Sequence, residues 1–361
     1  LRFKLSNFFR RAAPSRRALS AAFLLLSICC LSLAAFGSPL ASRWTRQRSG
    51  TLAWLHGVFF VDESRGWAVG SKGALLSTVD GGATWRVLPP PSPDALRDIF
   101  FEDAERGWIV CERSIYLLKE KTEPRSYLLR TTDGGRTWAR VEVTGADVDA
   151  RLVGVRFAEG GRGWAYGEMG TLYATKDGGE TWARRRVPTR HLLLDAHLLD
   201  AQRGWLAGAG STLLRTEDGG ETWHAGHVLI ANAAGAAPAL SAQARASEAS
   251  SVRLNAVEFA DARTGWAVGA GGRIYATADG GRTWRPQSSG INSDLYDVKF
   301  LDARTGWVVG GDGTVLRTID GGRTWLAETP QTPHTLERLF FIGRTRAWAV
   351  GFGGTIIGLR D

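Results

Sequence analysis

Leu295-Tyr296-Asp297-Val298-Lys299-Phe300, Gly306-Trp307-Val308-Val309-Gly310, Thr314-Val315-Leu316-Arg317-Thr318 and Asp320-Gly321-Gly322-Arg323-Thr324-Trp325 follow one another in a single short stretch, and their reading decides the fold. The first three pieces are short and apolar-rich. Turn residues separate them, at Asp302–Gly306 and Gly310–Gly313. The fourth turns tightly on Asp-Gly-Gly and starts another strand at Thr324-Trp325. Four short strands joined by Gly-rich turns make one antiparallel sheet of the kind found in a propeller blade. The phrase recurs around Trp67, Trp108, Trp164, Trp205, Trp266, Trp307 and Trp348; six of these follow Gly and the last follows Ala347. Four of the six intervals equal that from Trp266 to Trp307, and only those starting at Trp108 and Trp205 are longer. In five copies a second tryptophan stands as far downstream as Trp325 does from Trp307. A strand-rich unit copied seven times, with a period of roughly 41 residues, predicts an all-β, seven-bladed β-propeller.

The Thr-x-Asp-Gly-Gly-x-Thr-Trp phrase, an Asp-box, spans Thr78–Trp85, Thr131–Trp138, Thr175–Trp182, Thr216–Trp223, Thr277–Trp284 and Thr318–Trp325. Its acids are Asp80, Asp133, Asp177, Asp218, Asp279 and Asp320. Its closing tryptophans are Trp85, Trp138, Trp182, Trp223, Trp284 and Trp325. An Asp in a hairpin turn accepts hydrogen bonds from nearby backbone N–H groups, Gly supplies angles other residues resist, and Trp packs beneath. One carboxylate per blade is spread around a rim and does not converge, so the boxes read as scaffold.

The seventh copy stops after its third strand, Gly351-Phe352-Gly353-Gly354-Thr355-Ile356-Ile357. The missing outer strand is expected from the other end of the chain. Trp44 lies as far ahead of Phe60 as Trp284 does of Phe300, and Trp44-Thr45-Arg46-Gln47 parallels Trp284-Arg285-Pro286-Gln287. Such closure ties the two ends together and hides the sheet edge.

Two segments follow: residues 1–41 as leader and 42–361 as propeller. The leader holds six basic residues and no acid, so the formal charge of +9 falls to +3 without it. The body is only mildly basic and has no nucleic-acid motif, so no nucleic-acid partner is expected. Ala18–Phe36 is an uncharged apolar run behind Arg16-Arg17, the layout of a secretory signal. Ser15-Arg16-Arg17-Ala18-Leu19 also fits twin-arginine export, and the apolar run is nearly long enough for an uncleaved anchor. Export is expected by any of these routes, to the periplasm or a thylakoid lumen. Cys111 is the body's one cysteine, which excludes a disulfide framework there.

Function belongs where copies depart from the repeat. Extra residues lie around Arg113–Pro124, near Thr144–Asp149 and within Gly226–Ser251, the last Ala/Ser-rich and expected to be flexible. Alternation of strand direction sends all three to one face, opposite the Asp-boxes. That face is the expected partner surface. It includes Arg113, Lys119, Lys121 and Arg125 at the blade-two insertion. Aligned inner-strand positions on that side are His56, Arg97, Val153, Leu194, Asn255, Tyr296 and Glu337. One step along are Gly57, Asp98, Gly154, Asp195, Ala256, Asp297 and Arg338. Arg97, Tyr296 and Arg338 are the partner-surface candidates among them.

Asp-boxes also occur in glycosidases, so a carbohydrate-binding or glycoside-hydrolase propeller is the rival reading. It needs a converging carboxylate pair or a Tyr–Glu nucleophile among arginines. Asp98, Asp195 and Asp297 share one repeat position, but their blades are not neighbours and would meet only across a channel too wide for hydrolysis. His224, His227, His191 and His197 lack a third ligand at metal spacing. No catalytic, cofactor or metal residue is assigned.

Gly-Trp-Ala-Val-Gly (Gly66–Gly70 and Gly265–Gly269), with the Asp-box at fixed distance behind it, resembles the photosystem II stability/assembly factor family of cyanobacteria and chloroplasts. The likeness covers about residues 44–361. It implies a non-enzymatic propeller outside the cytoplasmic membrane or in the thylakoid lumen, needing no cofactor. Family members hold a newly made reaction-centre membrane protein, so a protein client from a membrane complex and a monomeric state are expected. An arginine-lined patch is thought to bind partners in the family. The blade-two insertion and the Ala/Ser-rich loop depart from the family pattern. An envelope or stress role in a non-photosynthetic bacterium shares the same physics and differs in client.

Overall fold

The computed structural model describes residues 43–118, 123–141, 143, 150–229 and 252–360. They form seven sheets in chain order, each built by an innermost strand, two middle strands and an outer strand. Blade six is typical, with strands Leu295–Phe300, Gly306–Gly310, Val315–Thr318 and Leu326–Glu328. Blade seven has three strands from the C-terminal stretch, Leu336–Ile342, Arg346–Gly351 and Thr355–Arg360. Its outer strand is Trp44–Gln47, antiparallel with Trp44 opposite Leu359 and Gln47 opposite Ile356. The N-terminal strand closes the ring as the spacing predicts.

A ring sandwich holds neighbouring blades together. In five blade pairs the second-strand Trp of one blade lies on a Phe near the end of the next blade's innermost strand, and that Phe meets its own Asp-box Trp edge-on; blade four has Leu198 there instead. Trp266, Phe300 and Trp325 show the pattern, with centroids 3.4 Å apart stacked and 5.9 Å apart at 89°. Trp348 on Phe60 and Phe60 against Trp85 repeat it across the closure. Offset-stacked and edge-on geometries suit the ring quadrupoles as well as the buried area. The first Gly of Gly-Trp-x-x-Gly is needed because a Cβ on Gly306 would strike the Phe300 ring. Blade seven has Ala347 there, and Phe341 stands off from Trp307 at 4.8 Å and 37°.

Three of these second-strand indoles also donate to the next blade's box, whereas the indole N–H of Trp108 has no partner. Trp205 donates to the Gly280 carbonyl at 2.9 Å, Trp266 to Gly321 at 3.1 Å and Trp348 to Gly81 at 3.1 Å. Trp307 faces the blade without a box, and its buried indole N–H has no partner. Trp266→Phe should therefore cost about 1 kcal/mol more than Trp307→Phe, the net worth of one hydrogen bond. Urea midpoints of the two variants check this, and equal losses would show that the indole bond carries no net stability.

One reading changes near Gly226. His227–Val228 is not loose chain but a short strand added in parallel to Thr283–Trp284, so blade five has five strands. His227 N–H donates to the Arg282 carbonyl and Leu229 N–H to that of Trp284. The rest of that segment, the 144–149 addition and the 1–41 leader lie outside the described residues.

Candidate functional site

The Asp-box face is occupied with itself. In blade one, Thr84 N–H and Oγ1–H donate to the two oxygens of Asp80 at 2.9 and 2.6 Å. Thr78 Oγ1–H donates to Asp80 at 2.8 Å and accepts from Gly82 N–H at 2.9 Å. Both threonines are thus part of the turn, and the network recurs at Asp133, Asp177, Asp218, Asp279 and Asp320. The closing tryptophans pack below, Trp182 and Trp284 donating to Gly carbonyls of their own turns. Both oxygens of each of these acids are thus engaged within their own turn.

The opposite face is built differently. All seven innermost strands slip register near their start, as between Leu55 and Gly57, Leu96 and Asp98, and Leu295 and Asp297. The slip is a β-bulge. It leaves His56, Arg97, Val153, Leu194, Asn255, Tyr296 and Glu337 outside the ladder and aims them at the channel mouth. These seven line a cavity of about 170 Å³ together with Arg151, Arg253 and Arg338. Four guanidinium groups and one carboxylate line it, with Glu112, Glu168 and Asp294 as further acids beside them. Alignment of the copies finds the seven; Arg151 and Arg253 sit just ahead of the strands, where register is lost to loop variation.

Most of these charges are already paired. Arg97 binds Glu112, Arg151 bridges Glu112 and Glu168 at 3.4 and 3.1 Å, and Arg125 adds to Glu168 at 3.1 Å. His56 lies 2.7 Å from Glu337 and 3.3 Å from the Arg97 guanidinium. An alternating chain thus runs from blade seven through one and two to three. Arg113 is drawn inward onto Glu123 and Asp94, with the buried Tyr127–Asp94 hydrogen bond beneath it. Of the candidates, Arg97 and Tyr296 line the mouth, Arg338 sits behind them, and Arg113 and Arg125 anchor the blade-two insertion. Lys119 and Lys121 lie outside the described residues. Tyr296 contacts Arg253, and burial pushes its hydroxyl above the ordinary range.

Below the mouth, Asp98, Asp195 and Asp297 are structural staples. Each is buried and accepts from the backbone of the following blade: Val155, Val257 and Leu339 N–H at 3.0, 3.1 and 2.8 Å. The separation expected from sequence is corrected here. One guanidinium, Arg156 of the intervening blade, reaches Asp98 at 2.5 Å and Asp195 at 3.3 Å. The repeat alignment missed Arg156 because it sits two positions further along. That next ring reads Phe59, Phe100, Arg156, His197, Glu258, Lys299 and Phe340, aromatic on blades seven, one and two and charged on blades three to six. Burial pushes Glu258 upward, but Lys299 at 2.8 Å and His197 at 3.3 Å outweigh it and hold the carboxyl at about 2.

Apolar side chains on this face are equally one-sided. Turns between the second and third strands present Phe352 in blade seven, Ile115 and Tyr116 in blade two and Met169 in blade three, all exposed. Leu52 and Trp54 stand exposed on the connection into blade one, Trp54 edge-on to Phe352. Blades four, five and six put Ala209-Gly210, Ala270-Gly271 and Gly311-Asp312 at those turns. Clustered exposed aromatics mark interaction surfaces.

No curated protein matches the chain. Among solved structures it is similar to one titled YCF48 bound to D1 peptide, at 21% identity over 90% of this chain and 98% of that one, with a TM-score of 0.68. It is also similar to YCF48 from Cyanidioschyzon merolae, at 20% identity over 89% and 99%, TM-score 0.67. A GH74 enzyme from Niastella koreensis shares 14% identity over 87% of this chain and 53% of its own, TM-score 0.64. At such identities the likeness establishes the propeller fold. The family model for photosynthesis system II assembly factor YCF48 matches residues 38–145, 88–190, 182–236 and 287–359, well over half the sequence. The chain belongs to the photosynthesis system II assembly factor YCF48 family.

Proposed function

We propose that this protein is an exported, non-enzymatic scaffold that holds a segment of a membrane-protein client at the channel mouth, on the arc of blades seven, one, two and three. The observation that carries the reading is that, among the described residues, exposed Leu52, Trp54, Tyr116, Met169 and Phe352 stand on that arc beside a mouth to which it contributes Arg97, Arg151 and Arg338. Large rigid side chains supply contact area and the guanidinium groups supply orientation, a combination suited to an acidic, partly apolar polypeptide segment. That a similar propeller is titled as bound to a D1 peptide supports a polypeptide as the kind of ligand. The leader favours the periplasm or a thylakoid lumen as the place of work, and whether the client is a photosystem subunit depends on the organism.

A glycosidase reading loses its acids. Asp98 and Asp195 spend their oxygens on backbone N–H groups and on Arg156, and neither is free to protonate a leaving group. Catalysis would need a separate converging pair.

The test is crosslinking capture of the membrane client in intact cells. Trp54→Ala with Phe352→Ala, both exposed on that arc, should lower capture about tenfold, as loss of a central hot spot does, with an unchanged melting temperature. Arg323→Ala on the Asp-box face should leave capture intact. Equal capture by both variants would remove that arc from the client surface.

A further inference from the structure

We propose that the channel behind the mouth is a second binding site, for an apolar carboxylate: a molecule or chain end whose carboxylate sits next to a ring or a branched side chain. Client docking at the rim needs no occupant there, so this goes beyond the function proposed above.

The first observation is a guanidinium with an unmet donor. Arg338 lies in the wall shared by the mouth cavity and a deeper cavity of about 240 Å³. Its Nε is buried without a hydrogen-bond partner, and Asp297, Asp195 and Asp98 act on its charge through space. Its neighbouring acids are committed elsewhere. Asp297 accepts from Val298 and Leu339 N–H, Asp98 from Val155 N–H and Arg156, and Asp195 from Val257 N–H, Tyr166 and Arg156. A buried N–H without an acceptor is costly, and a carboxylate in the cavity would supply two acceptors to the guanidinium in fork geometry.

The second observation is the wall beside it. Phe340 follows Arg338 by two residues on the same strand and also lines the deeper cavity. Its ring meets Phe59 at 4.7 Å, and Phe59 meets Phe100 at 5.1 Å. Cation and aromatic wall are therefore adjacent on blades seven, one and two, while Arg156, His197, Glu258 and Lys299 of blades three to six, with the hydrogen-bonded Asp98 and Asp297, line the rest. A cavity of roughly 150 Å³ takes a benzene ring, so the space here admits a ring with a short tether.

Isothermal titration of the whole chain tests the site with three probes: an N-acetylated Ala-Ala-Phe tripeptide with a free C-terminal carboxylate, the same peptide as its amide, and 3-phenylpropionate. The free acid should bind at least tenfold more tightly than the amide, and Arg338→Leu should erase that preference while Arg323→Ala on the opposite face keeps it. Comparable binding by phenylpropionate would identify the occupant as a free aromatic acid and keep the site; a clear advantage for the tripeptide would identify a chain end. Equal affinity for acid and amide, no heat with any probe at millimolar concentration, or a preference that survives Arg338→Leu would each overturn the proposal. The acid–amide comparison is made on the unmodified protein, so it decides even if the Arg338 variant fails to fold.

Discussion

Trp44→Ala should remove about 3–5 kcal/mol of stability, the range for emptying a large buried aromatic site. Trp44 is fully buried among Leu336, Leu339, Ile357 and Leu359 of blade seven and Trp307 and Val309 of blade six. Its indole N–H donates to the Glu328 carboxylate at 2.6 Å, on the outer strand of blade six. The side chain therefore bonds its own strand into blade seven and ties that sheet to its neighbour. The cavity costs dispersion contacts and apolar burial, and the carboxylate left behind loses a charge-assisted hydrogen bond. Removal of the whole Trp44–Gln47 strand should do worse. It bares the hydrogen-bonding edge of Thr355–Arg360, and such an edge invites pairing with another chain. Urea titration at constant pH measures the first effect and light scattering the second. Leu326→Ala, on a 65% exposed residue of the adjacent outer strand, should stay within about 0.5 kcal/mol. A Trp44→Ala loss no larger than the Leu326→Ala loss would show that the ring is held shut by something other than this strand.

That closure is readable from spacing alone because a repeat has only one register. Trp44 to Phe60 and Trp284 to Phe300 have equal length, and the propeller requires an outer strand for every blade. The Asp-boxes are readable for the same reason, although the hydrogen bonds assign the two threonines of each phrase a part that composition does not suggest. The mouth is half legible. Aligned copies place Arg97, Tyr296 and Glu337 together, since the bulge falls at one position in every inner strand. They cannot say that Arg97 pairs with Glu112, or that Asp98 and Asp195 share the guanidinium of Arg156. Those pairings join distant parts of the chain, at sequence separations of 15, 58 and 39 residues, and depend on side-chain reach that a repeat pattern does not encode. The apolar arc escapes the sequence for another reason. Exposed Phe352, Met169 and Tyr116 look like ordinary turn variation until the turns of blades four to six are seen to carry only small or acidic residues.

The second large effect is acid sensitivity, and the sixfold repetition produces it. Asp80, Asp133, Asp177, Asp218, Asp279 and Asp320 are each held at about 2, below the ordinary 3.8. In Asp80, Asp133, Asp177 and Asp320 the strongest influence is the hydroxyl of the Thr four residues on. In Asp218 and Asp279 burial pushes upward most, and the hydrogen bonds from Thr222 and Thr283 outweigh it. A carboxyl depressed in the folded state stabilises fully above its unfolded value and loses that contribution as pH falls through its folded one. The window is therefore from about pH 4 down to about pH 2. At pH 3 an unfolded Asp is mostly protonated and a boxed one mostly ionised, so unfolding should take up about four to five protons from the boxes alone. Asp62, Asp103, Asp200, Asp261 and Asp302 hold the first-to-second strand turns and shift the same way, adding to the uptake. Urea midpoints taken between pH 5 and pH 2 give the proton number from their slope. Asp177→Asn should reduce it by a little under one proton, and a second such variant in another blade by the same amount, because boxes on different blades share no partner. A flat profile across that window, or a slope indifferent to these substitutions, would mean that the carboxylates are spectators and that the turns are held by glycine and tryptophan alone.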